Sequence, residues 1–176
     1  MLLSLLTDYQ PKDDVEKVDH ARALTLAAGE DPWSRSTPVH ITASALVVHP
    51  PTKRVLLRWH ARQQAWLQVG GHADPGETHP LEIALREGRE EAGLTDLVSW
   101  PDAGLRHVVV VPAAAGKGEP AHEHIDVRFV LATDSPDDVR PEKPDAKLEW
   151  LSVSEATART SEPNLREFLA RVGELF

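Results

Sequence analysis

The apolar positions of this chain follow two rhythms, and the change from one to the other marks out its elements. Residues 40–48 (HITASALVV) and 54–59 (RVLLRW) are short apolar-rich runs around the turn His49-Pro50-Pro51-Thr52-Lys53, the pattern of a β-hairpin. Residues 65–69 (AWLQV) extend as a further strand and deliver the chain to Gly70. From Pro80 to Ala92 the stripe Leu81, Leu85, Gly88, Ala92 has the helical period, with Gly93 as its stop. Two longer strands follow at 105–111 and 123–132, joined by PAAAGKGEPAH, whose Lys117 region reads as a hairpin tip or a mobile lid. A short terminal strand, KLEWLSV, precedes a last helix over 164–175 with the stripe Leu165, Phe168, Leu169, Val172. Ahead of all these, residues 12–28 read as a helix ending at Gly29, with Val15, Val18, Leu24 and Leu26 among its apolar positions. The linker EDPWSRSTP follows, and its Trp33 is expected to pack against the domain. The sum is an α/β protein with a mixed sheet and helices on both sides. It reads as one domain over 1–176: a helical N-terminal extension and linker at 1–38, a core at 39–159, and a C-terminal helix at 160–176.

Composition narrows the partners. At 176 residues with 41% hydrophobic content, the chain has enough apolar surface for one real core. Its net charge of −9 argues against a protein built to grip nucleic acid. Without cysteine there is neither a disulfide framework nor a thiolate metal site. The start, MLLSLLTDYQ, lacks a basic flank and meets Asp8 too early for a signal peptide, and no apolar run is long enough to span a bilayer. The expectation is a cytoplasmic protein without a membrane partner.

The chemistry concentrates between Gly70 and Leu94, GGHADPGETHPLEIALREGREEAGL. Glu87, Glu90 and Glu91 stand at i, i+3 and i+4 of the helix and so share one face. Crowded carboxylates repel one another unless a cation sits among them, and their oxygens suit a hard divalent ion such as Mg²⁺ or Mn²⁺. A glycine-led loop running into a helix N-terminus adds a ready phosphate site. The plain alternative is a solvated helix face on which Arg86 and Arg89 pair with the glutamates.

This segment resembles the signature of the Nudix hydrolases, GX5EX7REUXEEXGU, where U is a bulky aliphatic residue. The opening fits from Gly71 to Glu77 and the close from Arg86 to Leu94. Two departures stand out: eight residues rather than seven separate Glu77 from Arg86, and Gly88 occupies the first aliphatic position. The extra residue falls near Thr78-His79-Pro80, where loop becomes helix, so it bears on Glu77 and leaves the register of the three helix glutamates intact. Gly88 costs the helix roughly 1 kcal/mol relative to alanine and reads as a close approach to the sheet. The resemblance implies a Nudix-type α/β/α sandwich and divalent-metal-dependent hydrolysis of a pyrophosphate bond, in a nucleoside diphosphate linked to another moiety. By motif position it implies Glu87, Glu90, Glu91 and the Gly71 carbonyl as metal ligands. Arg86 then orients the carboxylates, and Glu90 or Glu91 serves as base. It leaves open oxidised nucleoside triphosphates, nucleotide sugars, ADP-ribose and dinucleoside polyphosphates as the small-molecule phosphoanhydride.

Other positions could serve the substrate. On the strand HEHIDVRFVL, alternation puts His122, His124, Asp126 and Arg128 on one face, either water-facing or lining a cleft beside the metal helix. A histidine near its ordinary pKa there would suit a base or a phosphate ligand. Arg58, His60 or Arg62 could reach the phosphates, Trp59 and Trp66 suit core packing before base stacking, and His72 shapes the turn. An isopentenyl-diphosphate isomerase on this fold relies on a cysteine, which this chain lacks. The remaining alternative is a non-catalytic nucleotide-binding or ligand-sensing module. A homodimer through the N-terminal helix stays open.

Overall fold

The computed structural model describes residues 1–116 and 120–176, so Lys117 lies outside the described residues. At the centre is β1 (Val39–His49), buried along almost its whole length. It pairs antiparallel with β2 (Arg54–His60) and β4 (Val69–Gly71), and parallel with β7 (His122–Ala132). A strand covered on both faces needs a continuous apolar run, which HITASALVV approaches. Beyond β2 lie β3 (Ala65–Leu67) and β8 (Leu148–Ser152), and β7 carries β5 (Val98–Ser99) and β6 (His107–Ala113), which makes a mixed sheet of eight strands among the described residues.

Each face of this sheet supports its own core. Ile41, Ala43, Ala45 and Val47 join Ile125, Val127, Phe129 and Leu131 beneath helix α3 (Pro80–Ala92). Leu46, Val48, Val130 and Ala132 join Phe168 and Leu169 on the other face, beneath α4 (Val153–Arg159) and α5 (Pro163–Gly173). The result is the α/β/α arrangement. Among the described residues no helix is long and apolar enough to cross a membrane.

The structure adds elements to the sequence reading. Residues 65–69 do not form one strand: the chain steps at Gln68 from pairing with β2 to pairing with β1. Helix α4 starts from a capping box in which Ser152 and Glu155 satisfy each other's backbone N–H, a local signal present in the sequence. At the N-terminus a short helix α1 (Leu2–Asp8) buries Leu2 and Leu6.

Helix α2 (Asp14–Ala27) departs most from expectation. Its apolar positions Val15 and Val18 are 74% and 62% exposed, while Glu16 is 2% exposed. Burial of a charge is costly unless partners replace water. Here the Glu16 carboxylate accepts from Arg171 of α5 at 2.8 Å, from the Tyr9 hydroxyl at 2.5 Å and from the Val108 N–H at 3.0 Å. Asp19 accepts from the Val110 N–H at 2.9 Å. Strand β6 pairs only with β7 among the described residues, so these carboxylates satisfy its free edge. The helix is oriented by its charges, not by its valines.

Two consequences are measurable. Glu16→Ala leaves the Arg171 guanidinium buried without its main partner and should lower stability by about 3 kcal/mol in denaturant unfolding. A loss below about 1 kcal/mol would show that Asp13 and Glu167 suffice for Arg171. Buried His107 is pushed down to about 2 by burial, with Arg128 and Arg171 adding to the effect. Its unfolded form takes up a proton first on acidification, so the stability it contributes is full above its ordinary pKa of about 6.5 and is lost as pH falls below it. The stability of His107→Leu should therefore decline less between pH 7.5 and 5 than that of the parent chain; parallel declines would rule the histidine out as the cause.

Candidate active site

The loop 72–79 and helix α3 are brought against β4 by two tight approaches. A Cβ on Gly88 would lie 2.9 Å from Leu97 Cδ1 and 3.4 Å from Leu131 Cδ1, so the helix sinks to a depth that an aliphatic side chain would block. A Cβ on Gly71 would lie 2.5 Å from Glu87 Oε1, so the Glu87 carboxylate rests directly on the strand backbone. The helix begins at Pro80 and ends at Gly93, whose φ of 69° is the left-handed stop read from the sequence.

Arg86 organises what lies between. Its Nε and Nη2 donate to the two Glu77 oxygens at 3.0 and 2.9 Å, and Nη2 also donates to the His72 carbonyl at 2.8 Å. Nη1 donates to Glu87 at 3.0 Å and to Glu90 at 3.2 Å. Glu77 accepts in addition from the Asp74 N–H at 2.7 Å. The one-residue insertion ahead of Arg86 therefore leaves Glu77 docked, because the loop absorbs it.

Electrostatics within the group are uneven. The Arg86 bonds hold Glu77 below the usual carboxylate range, while burial pushes Glu87 up. Burial also pushes Glu91 up to about 7, against the pull of Arg58 and the Gly70 N–H. Glu91 accepts from that N–H at 3.1 Å and sits 3.2 Å from Arg58 Nη1. In both groups desolvation outweighs the pull of the neighbouring guanidinium. Glu87, Glu90 and Glu91 offer only oxygen atoms, the donor type that a hard divalent ion takes.

The remaining candidates separate. Arg58 is 9% exposed and pairs with Glu91 and, at 3.8 Å, with Glu142, so it supports the carboxylates from behind. Arg62 is exposed and donates to the Ala114 carbonyl at 3.4 Å, away from the glutamates. Trp59 and Trp66 pack against each other in the core beneath α4 and α5.

The strand β7 candidates require correction. Helix α3 covers the face carrying Ile125, Val127 and Phe129, so the face of His122, His124, Asp126 and Arg128 lies on the other side of the sheet. Nor is that face open to water along its length: Asp126 is 6% and Arg128 2% exposed. Asp126 accepts from Thr42, Ser44 and Arg128 at 3.0, 2.7 and 2.8 Å. Arg128 lies over the Phe168 ring and donates to the Asn164 side chain at 2.7 Å. Helix α5 is what covers them. His124 instead joins His40, His72 and His122, and burial together with His40 and His122 pushes it down to about 4, well away from the ordinary value. This histidine group was missed because it depends on the parallel register His40↔His124, for which the sequence carries no local signal.

The NUDIX domain family model matches residues 38–172. A search of curated proteins finds no match. Among solved structures, the chain is similar to an Ap4A hydrolase of C. elegans in a binary complex, at 21% identity and a TM-score of 0.61, covering 76% of this chain and 95% of that one. It is similar to the dihydroneopterin triphosphate pyrophosphohydrolase of E. coli, at 21% identity and a TM-score of 0.57, covering 77% and 94%. A mutator MutT protein of Bacillus halodurans gives 22% identity and a TM-score of 0.54, covering 76% and 81%. At these identities the likeness is one of fold.

The fork of Arg86 can be tested without any substrate. Arg86→Lys keeps the charge but cannot span Glu77, His72, Glu87 and Glu90 together. Amide exchange at Glu77, whose N–H donates to the Asp74 carbonyl, should accelerate by about tenfold or more. Unchanged protection would show that the loop is held by something else.

Proposed function

The chain belongs to the Nudix family of pyrophosphohydrolases, and from that premise we propose that it hydrolyses a phosphoanhydride bond in a nucleoside diphosphate linked to another moiety. Members of the family use divalent ions, and here we assign Mg²⁺ or Mn²⁺ to Glu87, Glu90, Glu91 and the Gly71 carbonyl. The observation that carries the assignment is the convergence of three carboxylates on the end of β4: Arg86 holds Glu87 and Glu90, Glu87 lies against Gly71, and Arg58 with the Gly70 N–H holds Glu91.

When bound, a divalent ion supplies neutralisation of the phosphate charge, acidification of water and stabilisation of the leaving oxygen. The chain's own residues then have distinct tasks. Arg86 positions Glu87 and Glu90 and ties the loop carbonyl of His72 to the helix. Arg58 and the Gly70 N–H fix Glu91. Glu90, whose side chain is 54% exposed, is the carboxylate that water and substrate can reach, so we assign proton acceptance from the attacking water to it. The names of two similar structures refer to Ap4A and dihydroneopterin triphosphate, which have a phosphoanhydride chain in common. That shared group is what a carboxylate–metal site fits, and the substrate class proposed here is defined by it. We place the activity in the cytoplasm on the strength of this substrate class.

The test is phosphate release from a nucleotide panel with Mg²⁺ and then Mn²⁺, coupled to a phosphatase. One compound should turn over in a metal-dependent manner far above the rest. On that compound Glu90→Gln and Glu91→Gln should each lose about a hundredfold or more, equivalent to roughly 2.7 kcal/mol of barrier. Rates within about threefold of the parent chain would refute the ligand assignment. Nucleotide binding without turnover of any compound would make the chain a binding module.

A further inference from the structure

A second group of ligating side chains lies across the sheet from the glutamates. His40 is at the start of β1, His72 follows β4, and His122 and His124 open β7. One ligand nitrogen from each of His40, His72 and His124 falls within 4.8 Å of the other two. Nε2 of His72 is 3.1 Å from Nε2 of His40 and 3.2 Å from Nε2 of His124, which is itself 2.9 Å from Nε2 of His122.

Hydrogen bonding among neutral rings does not account for these contacts. A ring nitrogen carries either a proton or an in-plane lone pair. His40 Nδ1 is 3.2 Å from the Thr37 carbonyl and His122 Nδ1 is 2.9 Å from the Pro120 carbonyl. A carbonyl only accepts, so both Nδ1 atoms hold the proton and both Nε2 atoms turn lone pairs into the group. His72 must then donate to His40, and His124 to His122. That assignment sets two N–H groups against each other across the 3.2 Å contact between His72 and His124. A cation that takes a lone pair from each ring removes the conflict.

We propose that His40, His72 and His124 form a second metal site, for a divalent transition ion of the zinc type, with a fourth position open beside His122. In tetrahedral coordination at about 2.0–2.1 Å per bond, ligating nitrogens stand roughly 3.3 Å apart. The two edges that meet at His72, 3.1 and 3.2 Å, are close to that length, and all three nitrogens fall within 4.8 Å of one another. Imidazole nitrogens suit zinc-like ions and carboxylate oxygens suit magnesium-like ions, so the two sites select different metals. The Nδ1 bond of His40 to Thr37 is the kind of second contact that fixes a metal-binding imidazole. An entry path exists, because His40 and His122 line a cavity of about 260 Å³ together with Arg35. Its fourth ligand is water or an anionic oxygen. His72 links the two sites, its ring on the histidine side and its carbonyl held by Arg86.

The site does not depend on the hydrolytic reading, and its test uses no substrate. The full chain, stripped of metal and held in excess Mg²⁺ to fill the carboxylates, is titrated with Co²⁺. Visible d–d absorption and metal analysis after dialysis are recorded. One equivalent of Co²⁺ should be retained, with the intense bands of low-coordinate nitrogen ligation. His72→Gln and His124→Gln, each checked for native circular dichroism, should weaken retention by about tenfold or more. Absence of the bands in the parent chain, or equal retention by the folded variants, would overturn the site. Because Co²⁺ is read directly, failure of the nucleotide assay leaves this result standing, and the converse holds too.

Discussion

The candidate active-site face depends on a single guanidinium. Arg86 uses its five N–H donors in five hydrogen bonds, to Glu77, the His72 carbonyl, Glu87 and Glu90. Only a planar fork can join a loop carboxylate, a loop carbonyl and two helix carboxylates at once. The arrangement in turn needs α3 to lie close to β4, which the missing side chains of Gly71 and Gly88 allow. Close packing removes water from Glu87 and Glu91, which pushes both carboxyls up. Backbone space, arginine geometry and carboxylate desolvation are thus successive consequences of one contact between helix and strand.

Buried charge recurs elsewhere for a different purpose. Asp126 and Arg128 occupy alternate positions of β7, where a one-sided sheet would show polar residues to water. In this sandwich α5 covers them, and Thr42, Ser44 and Asn164 supply the partners that water would have given. Glu16 and Arg171 join α2 to α5 across the edge of β6 in the same way. Such pairs gain little net stability over well-packed apolar residues, yet losing one partner is costly. Their effect is to fix which face of a weakly amphipathic helix turns inward.

Much of this protein was legible from its sequence alone. Helix α3 was bounded by Pro80 and Gly93, each acting through local backbone chemistry, and both bounds are those of the structure. The β1–β2 hairpin followed from apolar runs around a proline-rich turn. The crowding of Glu87, Glu90 and Glu91 followed from helical spacing, which needs no knowledge of the rest of the chain. The family resemblance was likewise carried by a short segment whose chemistry is local, and the family model extends it over residues 38–172.

What only the tertiary structure decided are the meetings between distant segments. Sequence spacing could not tell that β7 runs parallel to β1 with His124 beside His40, because register is set by the whole sheet. It could not tell that Asp126 and Arg128 are covered, since the covering helix comes some forty residues later in the chain. Nor could the apolar positions of α2 orient it, because its inward face is chosen by an arginine near the other end of the chain. Local periodicity and turn chemistry act over one or two turns of chain, and so the sequence determined the elements and the glutamate face. Burial, pKa and the company of each histidine depend on neighbours brought together from far apart, and those belonged to the fold.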